Sequence, residues 1–270
     1  STSRLIEEFK GKYGNVKHVV YDAVSSSEAL EAYEMMYGER ALADYDFSKV
    51  NTIVSVGADF LGDWQGGGYD SGYAKGRIPQ NGKMSKHIQF ESNMSLTGAN
   101  ADRRVAVTPT DQKKVLAALY TYITGAGSKS TLDPNLDAEV VKAAKQVQKQ
   151  GKNAVVVSGI QDVDAQLLVL AINKAIGSKA FNEDTPRMIR QGNAKAVAQL
   201  IKDMNSGKVG ALLVAGVNPM YSLPNAAEFK TGLEKVDLSV AFTMHNDETA
   251  EVCNYVATTQ HYLESWGDVQ

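Results

Sequence analysis

The chain has 270 residues, a formal net charge of −3, and 43% hydrophobic and 22% charged residues. That balance suits a globular protein with room for one large α/β domain or two of ordinary size. Its basic residues are scattered, leaving no electrostatic footprint for nucleic acid, and no apolar run approaches the roughly 20 residues of a membrane helix.

Leu5, Ile6 and Phe9 fit one face of a helix ending near Gly11 or Gly14, and Val16–Tyr21 reads as a strand. Ser25-Ser-Ser-Glu28 has the form of a capping box opening a helix through Met36 that stops at Gly38. Thr52–Val56 is the next strand, ending in Gly57-Ala58-Asp59. Leu61 to Gly82 is rich in glycine, holds Trp64, Tyr69 and Tyr73 and has no clean period, as in a long functional loop with one irregular helix. His87–Phe90 and a short stretch within Ala101–Val107 read as strands, and Asp111–Ile123 as a helix. Gly125-Ala-Gly-Ser-Lys-Ser-Thr131 has linker composition. Beyond it come an amphipathic helix over Asp137–Gln150, a fully apolar strand within Asn153–Gly159, a buried helix over Ala165–Ile176 and an amphipathic helix over Asn193–Asn205. A strand from Ala211 then opens into Gly216-Val-Asn-Pro219.

Strands alternating with helices predict parallel βαβ architecture. Laid on itself at an offset of 152 residues, the chain matches Phe90 with Phe242, Thr97 with Thr249 and Asp102 with Asn254, with Val105-Ala106 close to Val256-Ala257. With a few residues of slippage, Ile53–Asp59 falls on Leu212–Asn218. The expected organisation is therefore two tandem, doubly wound, mainly parallel domains, 1–125 and 126–270, each dinucleotide-binding-like.

Ligands of open α/β sheets sit outside the carboxyl ends of the strands. Gly57-Ala-Asp59 and Gly216-Val-Asn-Pro219 would supply turn glycines, backbone N–H groups and a polar side chain there, or would be plain strand-to-helix turns. Gly62-Asp-Trp-Gln-Gly-Gly-Gly68 matches no phosphate-binding fingerprint and fits a mobile or protein-contacting loop better. The acid pair in Asn246-Asp-Glu-Thr-Ala250 suits either acid–base chemistry or a helix cap, the cap being favoured. His18, His87, His245 and His261 lack paired metal spacing, so no metal site is expected. The single cysteine, Cys253, excludes an internal disulfide or a cysteine-ligated cluster made by this chain alone, and its apolar context suggests a structural thiol. The N-terminus shows no signal-peptide pattern, and the two chain ends suggest a piece of a longer protein.

Taken in series, Gly-Val-Asn-Pro219, Asp-Glu-Thr-Ala250 and Glu264-Ser-Trp-Gly267 resemble the motifs of the molybdopterin-dinucleotide oxidoreductases. Phe90-Glu-Ser, Thr97-Gly-Ala-Asn-Ala-Asp102 and Val105-Ala-Val-Thr-Pro-Thr-Asp111 resemble that family's upstream region, and Ser158 to Gly177 its second dinucleotide-binding fold. Phe60–Tyr69 and Thr258–Asp268 are most similar to the branch formed by the large molybdopterin-like iron–sulfur subunit of bacterial alternative complex III.

The resemblance implies a quinol-oxidising respiratory complex at the periplasmic face of the inner membrane, with this chain held through partner subunits and not itself inserted. It also implies that iron–sulfur clusters lie in parts of the full protein outside this chain. By the same resemblance Gly57, Asp59, Asp111, Gly216, Asn218 and Glu248 would contact molybdopterin guanine dinucleotide. Several loops depart from the pattern: Thr-Pro-Thr-Asp111 stands for Pro-Gly-Thr-Asp, Glu91-Ser-Asn for Asp-Pro-Arg, and Gly57-Ala-Asp-Phe60 for the first Gly-x-Asn-Pro. Three readings follow: a non-catalytic scaffold without the cofactor, a competent cofactor-binding enzyme domain, or a two-lobed small-molecule binding protein.

Overall fold

A computed structural model describes residues 2–79, 82–265 and 267. The chain divides into two compact units, a central one of Ser26–Gln191 and a terminal one of Ser1–Ser25 with Gly192–Gln270.

The central unit contains α2 (Ser27–Tyr37), β1 (Leu42–Tyr45), β2 (Thr52–Val56), α3 (Asp70–Arg77), β3 (Lys86–Glu91), α4 (Leu96–Ala99), β4 (Arg103–Ala106), α5 (Pro109–Thr124), α6 (Pro134–Gln150), β5 (Ala154–Ser158), α7 (Val163–Ile176) and β6 (Phe181–Arg187). The terminal unit contains α1 (Thr2–Tyr13), α8 (Ala194–Asn205), β7 (Ala211–Ala215), α9 (Pro219–Ser222), α10 (Ala226–Leu233), β8 (Leu238–Thr243) and β9 (Tyr255–Thr258).

A parallel sheet of order β4-β3-β2-β5 organises the central unit. Val155, Val156 and Val157 of β5 are all buried, because helices cover both faces. On one face Val54, Val56, Ile88 and Phe90 pack with Val115, Leu116 and Leu119 of α5 and Val140 and Val147 of α6. On the other, Ile53, Val155 and Val157 join an aromatic cluster that includes Tyr33, Phe47, Phe60 and Tyr73. Helix boundaries follow local chemistry. Thr108 and Asp133 cap α5 and α6, each with proline in the first turn, and α2, α5 and α7 stop at left-handed Gly38, Gly125 and Gly177.

The terminal unit has a smaller parallel sheet of order β7-β8-β9. Its core lies on one side, where Val197, Ile201 and Met204 of α8 meet Phe229 and Leu233 of α10, with Leu212 against them.

Both units repeat one register. In the central sheet Ile88, Gln89, Phe90 and Glu91 stand opposite Arg103, Arg104, Val105 and Ala106. In the terminal sheet Val240, Ala241, Phe242 and Thr243 stand opposite Tyr255, Val256, Ala257 and Thr258. Each residue of the second set lies 152 positions after its counterpart, so the sequence offset is a structural repeat. The strands before them agree: Val56 pairs with Phe90, and Ala215 with Phe242.

Several expectations are corrected. The division at 125/126 falls between α5 and α6, which pack in one core, and β5 completes the sheet begun by β2, so the units are nested and not tandem. The glycine-rich stretch from Gly125 is a helix–helix loop, not a linker between domains. Val16–Tyr21 forms no strand, although Val19 and Tyr21 do reach the terminal core. Helix α1 runs through Gly11 to Tyr13 and buries none of its residues. Helix α2 begins at Ser27, one residue later than a cap at Ser25 would start it. Within the long loop, Trp64–Gly66 is a turn of 3-10 helix and Asp70–Arg77 is α3; Gln80 and Asn81 lie outside the described residues. The antiparallel β1–β6 pair was not foreseen, since neither segment alternates cleanly in polarity.

Candidate functional site

Each parallel sheet ends in a glycine turn that frees the next side chain to bridge two loops. In the terminal unit Gly216 takes φ +67°, a left-handed conformation that favours glycine, and its amide donates to the Phe242 carbonyl at 3.3 Å. Two residues on, the Asn218 amide nitrogen donates to Glu248 Oε2 at 2.7 Å. Asn218 Oδ1 in turn accepts from the Thr249 hydroxyl at 2.7 Å. Thr249 Oγ1 also accepts from the Met220 amide at 3.0 Å, tying the loop after β7 to the loop after β8. Gly216, Asn218 and Glu248 are thus brought together. Hydrogen bonding from Asn218 holds the exposed Glu248 carboxyl below its ordinary range.

Neighbouring Asp247 is a cap. Its Oδ1 accepts from the amides of Thr249 and Ala250 at 3.1 and 2.8 Å, and its Oδ2 accepts from the Thr243 hydroxyl at 3.2 Å. The acid pair therefore divides: Asp247 orders the turn and Glu248 faces outward.

The central unit has a related arrangement with different donors and acceptors. Gly57 has φ +69°, and its amide donates to Phe90 O at 2.8 Å. Asp59 Oδ1 accepts from the Thr97 amide at 3.0 Å, while the Thr97 hydroxyl accepts from the Leu61 amide at 2.9 Å. Where the terminal loop has a neutral amide, this one has a carboxylate.

Asp111 takes no part in that cluster. It sits in the first turn of α5, where Oδ1 pairs with Lys114 at 2.7 Å and Oδ2 accepts from the Thr108 hydroxyl at 2.9 Å. Those two bonds, led by Lys114, hold its carboxyl low. Its neighbour Gln112 is what meets the loop: a Cβ on Gly57 would lie 2.8 Å from Gln112 Oε1. The Gln112 amide also donates to Ser92 Oγ at 2.8 Å. Sequence reasoning missed Gln112, which carries no motif, placed Ser92 in Glu91-Ser-Asn without assigning its contact, and aligned Thr97 with Thr249 without assigning their role. It also missed Gly159, where a Cβ would lie 2.2 Å from the Gly57 carbonyl oxygen.

Other singled-out residues have structural surroundings. Burial pulls the His87 imidazole down to about 4, and its ring nitrogens contact Tyr73 Oη and Gln89 Oε1 at 3.2 and 3.1 Å. His261 caps a 3-10 turn with Glu264 returning the bond, whereas His18 and His245 are exposed. Cys253 is half-buried, and burial raises its thiol. Gly66, Gly67 and Gly68 all take positive φ, and a Cβ on Gly66 would meet Ile189 Cδ1 at 2.7 Å, so this loop packs on its own unit. Trp266 and Asp268 of the C-terminal motif lie outside the described residues. Among the described residues no group of three or more His, Cys, Asp or Glu side chains could hold a metal, and no helix is long and apolar enough to cross a membrane.

Comparison with solved structures places this α/β architecture beside acetylene hydratase from Pelobacter acetylenicus, with a TM-score of 0.58 at 14% identity over 88% of this chain and 44% of that one. A formyltransferase/hydrolase complex from Methylorubrum extorquens reaches a TM-score of only 0.42, at 16% identity over 86% of this chain and 69% of that one, too low to define a shared fold. No protein-family model matches the chain.

In sequence the chain is 25% identical, over 89% of its length, to the molybdopterin-binding-like subunit of menaquinone reductase from Nitratidesulfovibrio vulgaris. It spans 41% of that relative's length. The likeness is therefore to a molybdopterin oxidoreductase-like subunit, on a mixed α/β fold with parallel sheets.

Proposed function

We propose that the chain is the dinucleotide-fold part of a molybdopterin oxidoreductase-like subunit, serving as a scaffold without its own pterin cofactor in a quinol-oxidising electron-transfer complex of the alternative complex III kind. The name of the curated relative, a molybdopterin-binding-like subunit of a menaquinone reductase, supports quinone-linked electron transfer among partner subunits. Attachment at the periplasmic face through those partners is part of the same proposal.

The observation that carries the scaffold reading is the crowded turn at Gly57. A phosphate cradle needs free N–H groups and room beside its glycine. Here the amide is spent on Phe90 O, Gln112 Oε1 fills the space beside the α-carbon, and the Asp59 carboxylate would repel an anion. These residues do not fit the phosphates of a pterin dinucleotide, and no chemical step is assigned to them.

The terminal loop supports the competing reading of a competent cofactor domain more than the central one does. No atom lies within 4 Å of a Cβ built on Gly216, and Glu248 is exposed there. Against it, both ends of the Asn218 amide are already engaged within the protein.

Metal and pterin analysis of the full-length protein isolated with its partners tests the proposal. The scaffold reading expects neither molybdenum nor tungsten nor pterin above trace level. Either metal together with pterin at one per subunit overturns it and establishes the competing reading.

A further inference from the structure

His87, Gln89 and Glu91 stand in one row on β3, 0, 0 and 3% exposed. Counting hydrogens along that row fixes what each group must do. The Gln89 amide nitrogen donates to Glu91 Oε2 at 3.2 Å and to the Ala58 carbonyl at 3.3 Å. Glu91, ionised and paired with Arg104, can only accept, and so can a backbone carbonyl, so both Gln89 N–H groups are committed. Gln89 Oε1 then faces the imidazole, 3.1 Å from His87 Nε2, and needs a hydrogen from it. Neutral His87 is therefore the Nε2–H tautomer, with a lone pair on Nδ1.

On the other side of the ring the count falls one hydrogen short. Tyr73 Oη lies 3.2 Å from His87 Nδ1 and 3.0 Å from the Asn100 carbonyl oxygen, so two acceptors share one phenolic hydrogen. Nδ1 is buried with its ring, whereas Asn100 is exposed and its carbonyl has water as an alternative. The hydrogen goes to Nδ1, and the Tyr73 and Asn100 oxygens face each other without one. A proton on His87 removes the conflict. Nδ1–H then donates to Tyr73 Oη, and the Tyr73 hydroxyl donates to Asn100.

We propose that His87 and Tyr73 form a proton-operated latch on the turn after α4, open while His87 is neutral and closed when it is charged. That turn carries the clamp on the loop after β2: the Asn100 amide donates to the Thr97 carbonyl at 3.1 Å, and the Thr97 amide donates to Asp59. Closing the latch therefore firms the edge of the central sheet at Asp59. The titratable and charged groups around the ring are Glu91 on β3, Tyr73 and Arg77 on α3, and Asp102 before β4, while β2 and the loop after it bring the uncharged Ile53 and Phe60. Burial, aided by Arg77, outweighs Gln89 and the two carboxylates and pulls the ring down to about 4, so the latch is open near neutral pH and closes in acid. The inference rests on the hydrogen count and not on the scaffold reading.

Hydrogen–deuterium exchange of the full-length protein, read by mass spectrometry at pH 7 and pH 4 and corrected for the intrinsic pH dependence of exchange, tests it. The quantity read is protection of a peptide covering Leu96–Asp102 relative to one covering β5. The parent should gain about twofold at pH 4, where half of the His87 rings are charged, and Tyr73→Phe, with no hydrogen to pass on, should gain nothing. Equal protection of the parent at both pH values overturns the latch. So does the same gain in Tyr73→Phe, which would assign the effect to Glu91 or Asp102. Nitrogen-15 NMR of histidine-labelled protein checks the count without relying on the Tyr73 variant. At pH 7 the ring signal that disappears in His87→Gln should be the Nε2–H tautomer, and the Nδ1–H tautomer would overturn the proposal.

Discussion

The Thr249 hydroxyl donates to Asn218 Oδ1 at 2.7 Å while accepting from the Met220 amide at 3.0 Å, so one buried side chain fixes the loop after β7 to the loop after β8. Thr97 does the corresponding work after β2 and β3, through the Leu61 amide and the Asp59 carboxylate. The two turns share this clamp even though the side chains they present differ. This makes the clamp a property of the fold and not of any ligand.

Thr97→Val keeps the shape of the side chain but leaves the Leu61 amide without its acceptor. A buried donor left unpaired costs about 1–3 kcal/mol. Urea unfolding should show a loss of that size for Thr97→Val and for Thr249→Val, with Thr97→Ser and Thr249→Ser recovering most of it. Equal losses in the serine variants would show that methyl packing, not the hydroxyl, holds the loops.

Gly159 is required by a close approach of two backbones. Its Cβ would lie 2.2 Å from the Gly57 carbonyl oxygen and 2.8 Å from the Gly57 carbonyl carbon, neither of which can swing aside as a side-chain end would. Gly159→Ala should therefore destabilise by about 1–3 kcal/mol or more. Gly210→Ala, with nothing within 4 Å, should stay within about 0.5 kcal/mol of the parent in the same assay.

Glu91 gives the central sheet an acid-sensitive anchor. Burial alone would raise its pKa, but hydrogen bonds from Ser95, Arg104 and Gln89 together lower it. A carboxyl lowered in the folded state contributes stability in full above its ordinary value of 4.5, and loses it as pH falls through the depressed value. Glu91→Gln should cost about 1–3 kcal/mol at pH 7, and the gap from the parent should narrow below pH 4.5. Denaturation midpoints at pH 7 and pH 3.5 decide it, a constant gap being the contrary result.

His87 acts in an adjacent window. With the folded pKa near 4 against an ordinary 6.5, the unfolded chain takes up a proton first as pH falls. Stability should decline between about pH 6.5 and pH 4 and then stop responding to this group, a total of roughly 3 kcal/mol. His87→Gln should flatten that part of the stability–pH curve. An unchanged slope would place the titration elsewhere.

The sequence alone determined the strands β2, β5 and β7 and the long helices, because unbroken apolar runs and a 3.6-residue period each admit few local structures. It also determined the repeat, since Phe90 and Phe242 occupy one position of a shared parallel register. Gly57 and Gly216 were visible as turn residues because only glycine takes their positive φ without strain.

Only the tertiary structure decided which elements share a core. Composition marked the loop from Gly125 as a boundary, yet the apolar faces of α5 and α6 bury against the same strands, and β2 finds its fourth-strand partner about 100 residues on in β5. The same holds for the crowded turn at Gly57, where Gln112 arrives from the next helix. No spacing rule places a side chain there, because that contact is set by packing between elements distant in the chain.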